Sequence, residues 1–151
     1  MLFFGAVDAS RPTRGRVLEE LRRELVALDL DLVVPSEPVF GAKRSELLNR
    51  SKTILNLRSN TWHPELVRFV LAAACGTAIV TDPPASFTEP FVEGEHFLMA
   101  EIPDLAEVLH ELSRNEPRRA HIARNATELV TRDLTMTAVA RRMLERTWPT
   151  S

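Results

Sequence analysis

With 151 residues, 44% of them hydrophobic and 26% charged, the chain has the size and balance of one soluble globular domain over residues 1–151. Its one cysteine, Cys75, excludes a disulfide framework and a thiolate metal cluster, and reads as a small buried hydrophobe. The net charge of −2 divides unevenly, 11 Lys and Arg against 9 Asp and Glu in residues 1–75 and 8 against 12 in residues 76–151; the first half can face an anion but is too weakly basic, and too poor in interleaved aromatics, for a nucleic-acid groove.

In chain order, Leu2-Phe-Phe-Gly5 reads as a short buried strand ending at a glycine, followed by a turn-prone loop that holds Arg11 and Arg14. Val17, Leu18, Leu21, Leu25 and Leu28 then fall on one helical face. Leu30 to Val34 reads as a second strand stopped by Pro35, residues 35–42 as loop, and Arg44 to Arg50 as a short helix. Thr53 to Leu57 is a third strand, and Arg58 to His63 a polar loop. Pro64 suits the first turn of a helix that runs to Cys75 and stops at Gly76. Thr77 to Thr81 is a fourth strand, leaving into Asp82-Pro83-Pro84.

A helical turn at Phe87 to Phe91 and a fifth strand at His96 to Met99 follow. Three helices close the chain, Asp104 to Leu112, Pro117 to Arg132 and Thr135 to Trp148, each with apolar residues at helical spacing. The longest uncharged apolar run, Phe69 to Thr81, is too short to span a bilayer, and Met1 to Val7 lacks the basic flank and length of a signal peptide. A cytoplasmic protein is expected.

Strands that are continuous apolar runs, alternating with helices, predict an α/β fold: a Rossmann-like three-layer domain with a parallel sheet of about five strands, helices on both faces and C-terminal helices. Right-handed crossovers put the strand-to-helix loops on one edge, where ligands of such sheets bind. On that edge fall Arg11 and Arg14 beside a helix N-terminus, where they are either solvated or hold a phosphate. Glu65 and Arg68, three residues apart on an otherwise apolar helix, either pair with each other or meet a ligand. Asn56, Arg58, Asn60 and His63 lie on the adjacent strand and loop and offer polar contacts; His63 has the titration range of an acid or base but no partner at recognisable spacing. No histidine or carboxylate set has metal spacing, and no GxSxG, GxGxxG or GxxxxGK[ST] is present.

Taken together, Phe3-Phe4-Gly5 with its arginine-rich loop, Val39-Phe40-Gly41, Leu47 to Leu57, Glu65-x-x-Arg68, Ala74 to Asp82, Phe91-x-x-Gly94 and the helical tail stand in an order that resembles the C-terminal, nucleotide-sugar-binding lobe of two-lobed (GT-B type) glycosyltransferases of the CgeB-like and group 1 kind. The resemblance covers Leu2 to about Trp148. It implies a donor that is a UDP- or GDP-sugar and no other cofactor. It also implies diphosphate contacts near Gly5, Arg11 and Arg14, base contacts near Phe40 and Gly41, and ribose or diphosphate contacts at the start of the Pro64 helix, with Glu65 and Arg68.

Two departures accompany it. Aligned on Gly76, the two glutamates common in group 1 transferases are replaced by His63 and Leu71. The catalytic cleft of that class forms between two lobes, so one lobe is expected to need an N-terminal lobe, a partner subunit or a second copy for activity. The competing expectation is a non-catalytic interaction module on the same scaffold.

Overall fold

The structure, a computed structural model, describes residues 1–3, 5, 12–57, 66–83 and 89–147. Among these, four strands form one parallel sheet in the order β1 (Leu2–Phe3), β2 (Thr53–Asn56), β3 (Ala78–Thr81), β4 (Leu98–Met99). The helices are α1 (Pro12–Ala27), α2 (Gly41–Asn49), α3 (Leu66–Ala74), α4 (Leu105–Arg114), α5 (Glu116–Asp133) and α6 (Met136–Thr147), with a 3-10 turn at Ile102–Asp104 ahead of α4.

Because successive side chains of a strand point to opposite faces, Leu2/Phe3, Ile54/Leu55 and Ile79/Val80 divide between two cores. Phe3, Leu55 and Val80 join Leu18, Leu21 and Leu25 of α1 and Leu105, Leu109 and Leu112 of α4. Leu2, Ile54 and Ile79 join Leu48 of α2 and Phe69, Ala72 and Ala73 of α3. Helix α5 serves both cores, with Ile122 and Ala123 in the first and Ala126, Leu129 and Val130 in the second. This is the expected Rossmann-like arrangement, a sheet covered on both faces.

The expected five strands become four, because Leu30 to Val34 does not form a full strand. Val33 makes an isolated parallel bridge to Leu2, with hydrogen bonds Phe3 N to Val33 O and Val33 N to Met1 O, both 3.0 Å. At the start of the segment the Leu30 amide is already used by Leu25 O in closing α1, and after its end Pro35 has no N–H to offer. Similarly, His96 belongs to a turn, its amide bound to Val92 O at 2.9 Å, so β4 begins at Leu98. Helix α2 starts at Gly41 rather than Arg44 and takes in Ala42 and Lys43, both good helix formers.

The interruption in the apolar run at Cys75-Gly76 is a helix stop. Gly76 has φ +67, its amide donates to Ala73 O and that of Thr77 to Ala72 O, both at 3.0 Å, which is the paired bonding of a Schellman cap. Thr77 then passes straight into β3, its hydroxyl donating to Leu48 O at 2.9 Å.

Candidate functional site

From β1 the chain crosses through α1 to Val33 on one side of β1, then returns through α2 to β2 on the other side. The strand order therefore reverses between β1 and β2, and a crevice beyond the C-terminal ends of these strands is the position at which such sheets bind ligands. The helices run back against the strands, which brings the N-termini of α1, α2 and α3 to this same edge.

Two arginines meet there. Arg14 is the third residue of α1 and Arg68 the third residue of α3, and these helices cover opposite faces of the sheet. Arg14 Nη2 donates to Leu57 O at 2.5 Å, and Arg68 Nη1 reaches the same carbonyl at 3.4 Å. Leu57 directly follows β2, so its carbonyl lies beyond the last ladder bond and is open to side-chain donors. Arg68 Nη1 also donates to Asn56 Oδ1 at 2.9 Å, Asn56 Nδ2 to Thr81 Oγ1 at 3.1 Å, and Thr81 Oγ1 to Asp82 O at 2.9 Å. The network thus links the ends of β2 and β3 to both faces of the sheet.

Gly5 explains itself by space. A Cβ there would stand 2.7 Å from Phe3 Cζ, 3.2 Å from Phe3 Cε1 and 3.1 Å from Arg14 Nη1. The guanidinium of Arg14 lies over the Phe3 ring, 5.7 Å from its centroid. Arg14 is accordingly in the helix and not in the loop before it, and it is 5% exposed. Its guanidinium is therefore buried beside the end of β2. Arg68 is half-buried.

Phe40 and Gly41 stand at the start of α2. Phe40 is 72% exposed, an open aromatic ring at a helix N-terminus, and Gly41 has φ +57 with open space around it. Arg11, Arg58, Asn60, His63 and Glu65 lie outside the described residues. Thr81 and the Leu57 carbonyl complete the network without being singled out by the sequence. A backbone acceptor leaves no mark in a sequence, while a threonine ending a strand of Ala-Ile-Val is a weak one.

A cavity of about 550 Å³ lies elsewhere, at the α4–α5 elbow, bordered by Glu107, His110, Glu111, Arg114, Asn115 and Pro117. Among the described residues no group of three or more His, Cys, Asp or Glu could hold a metal ion, and no helix is long and apolar enough to cross a membrane.

The reversed strand order and the helix layers on both faces define the class as a Rossmann-like α/β domain. Residues 14–145 match the profile of the glycosyl transferase-like family, and the chain belongs to that family. No curated protein matches the chain.

Among solved structures, the chain is similar to the C-terminal domain of a glycosyl transferase group 1 family protein, LpcC, from Francisella tularensis, with a TM-score of 0.66, 16% identity, and coverage of 89% of this chain and 69% of that one. It is also similar to Anabaena HepE in complex with UDP-glucose, with a TM-score of 0.66, 15% identity, and 97% and 47% coverage. HepE in complex with UDP and glucose gives 0.65, 16%, and 99% and 39%. These likenesses concern the fold, and the chain spans less than half the length of either HepE chain.

Proposed function

We propose that the chain is the donor-binding lobe of a glycosyltransferase and takes the nucleoside diphosphate of a UDP- or GDP-sugar at the outgoing edge of the sheet. The observation that carries this reading is the meeting of Arg14 and Arg68, from opposite faces, on the carbonyl of Leu57 where the strand order reverses. Two guanidinium charges and the N-termini of α1 and α3 make that edge favourable for a pyrophosphate. The exposed ring of Phe40 suits a nucleobase. Support also comes from family membership and from HepE, a protein of like fold crystallised with UDP-glucose and with UDP and glucose.

In this reading Gly5 lets the chain pass close to Arg14, Arg11 joins the diphosphate contacts, Arg58, Asn60 and His63 supply polar contacts, and Glu65 accepts ribose hydroxyls beside Arg68. The lobe contributes to transfer by orienting the donor and by stabilising charge on the departing diphosphate. A second lobe or partner subunit brings the acceptor and the base. The place of action is the cytoplasm, and no cofactor is needed.

The test is a thermal melt of the 151-residue chain with UDP, GDP and their sugars against a panel of unrelated nucleotides. A ligand at a hundred times its Kd adds about 2.7 kcal/mol, a rise of roughly 5–10 °C for a domain of this size. Arg68→Ala and Glu65→Ala should reduce the rise. No shift with any nucleotide across the panel overturns the proposal.

One observation favours the interaction module instead. Helix α6 has no buried residue and exposes Met136, Met143 and Leu144 along one side. Self-association seen by light scattering, together with a melt indifferent to every nucleotide, is the signature of that reading.

A further inference from the structure

We infer that Asn56 is a positioning residue for the donor diphosphate: it holds the Arg68 guanidinium at the outgoing edge while touching no ligand itself. The inference rests on the donor-binding reading above.

Asn56 ends β2 and is 1% exposed, at the close of a strand whose other members, Thr53, Ile54 and Leu55, are buried too. An amide in such a place is costly unless it is hydrogen-bonded. Here its two ends are used differently. Arginine can only donate, so the oxygen of the amide must face Arg68, as it does at 2.9 Å. The Thr81 hydroxyl spends its proton on Asp82 O at 2.9 Å, so towards Asn56 it can only accept, and Nδ2 faces it at 3.1 Å.

The chain of bonds has one direction, and that direction fixes the amide. Asn56 and Thr81 are partners in the β2–β3 ladder, so both anchor points belong to the sheet. Arg68 is the one member on a helix. A long side chain free to sample rotamers would be ordered only when the ligand arrives; one pre-placed by an amide oxygen loses less on binding. The side-chain amide also orients the guanidinium without adding a negative charge beside it, which a carboxylate at the same position would do.

The test is a double-mutant cycle on the full chain, read as UDP and GDP affinity by calorimetry: wild type, Asn56→Ala, Arg68→Ala and the double variant. If Asn56 acts through Arg68, Asn56→Ala weakens binding about three- to tenfold when Arg68 is present, and less than about twofold when position 68 is alanine. A purely structural role would give the same loss in both backgrounds. Thr81→Val, which removes the acceptor of the amide while keeping the shape of the side chain, serves as the second variant should Asn56→Ala fold poorly. It should weaken binding in the same direction, and again only while Arg68 is present.

Equal losses in both backgrounds, or no loss from either variant, overturn the inference and leave the donor-binding reading standing. A wild-type chain that binds neither nucleotide overturns both.

Discussion

Replacing Gly5 by alanine probes the packing beneath the site with a single methyl group. The added carbon would stand 2.7 Å from Phe3 Cζ and 3.1 Å from Arg14 Nη1, where ordinary carbon contacts are about 3.5–4.0 Å. Neither neighbour can retreat cheaply. Phe3 is fully buried in the core that contains Leu18, Leu21 and Leu55, and Arg14 is held by Leu57 O and by the Phe3 ring.

Overpacking of this kind costs about 1–3 kcal/mol, a fall in melting temperature of roughly 2–4 °C per kcal/mol for a domain of this size. Differential scanning calorimetry of Gly5→Ala should therefore show a loss of roughly 4–8 °C, from a cost of about 2 kcal/mol. Phe3→Leu withdraws the ring edge that the new methyl meets, so the double variant should be less destabilised than the two single losses added together. An unchanged melting temperature in Gly5→Ala, or strict additivity with Phe3→Leu, refutes the account of Gly5 as a position chosen for space.

Gly76→Ala meets no atom within 4 Å, so only its φ of +67 is penalised; a loss of about 1 kcal/mol is expected in urea titration, with an unchanged slope. Asn115, whose side chain accepts from the Arg118 amide at 3.0 Å, caps α5, and Asn115→Ala should cost about 1 kcal/mol by the same measurement. Burial pushes the Cys75 thiol above its ordinary value, with Arg44 opposing it in part. At pH 8 iodoacetamide should thus modify the folded chain more slowly than the urea-unfolded one, since the thiolate is the nucleophile. Because the folded value is the higher one, the neutral thiol's contribution to stability is complete below the unfolded value, near 8.5, and declines as pH rises through the folded value. Urea midpoints from pH 8 to 10 should therefore fall more in wild type than in Cys75→Ala.

Helices α1, α4, α5 and α6 are legible because an apolar face at helical spacing is a property of the segment itself, and tertiary contact only decides what covers it. Strands β2 and β3 are legible for a related reason, as continuous apolar runs between breakers need burial on both faces. Leu30 to Val34 has the same look yet makes only a bridge at Val33, because the Leu30 amide is drawn into the end of α1 and Pro35 has no N–H to offer.

The site divides along the same line. That arginines gather at the start of two crossover helices can be counted from the sequence. That Arg14 is buried while Arg68 stays half-exposed depends on which atoms fill the space around each. The need for glycine at position 5 comes from a ring two residues back and a guanidinium nine residues ahead. The Asn56–Thr81–Arg68 chain depends on strand register, which aligns residues 25 positions apart. Local periodicity and breakers determine which segments form; register and close packing, set by contacts between segments, decide where each charge stands and what it can hold.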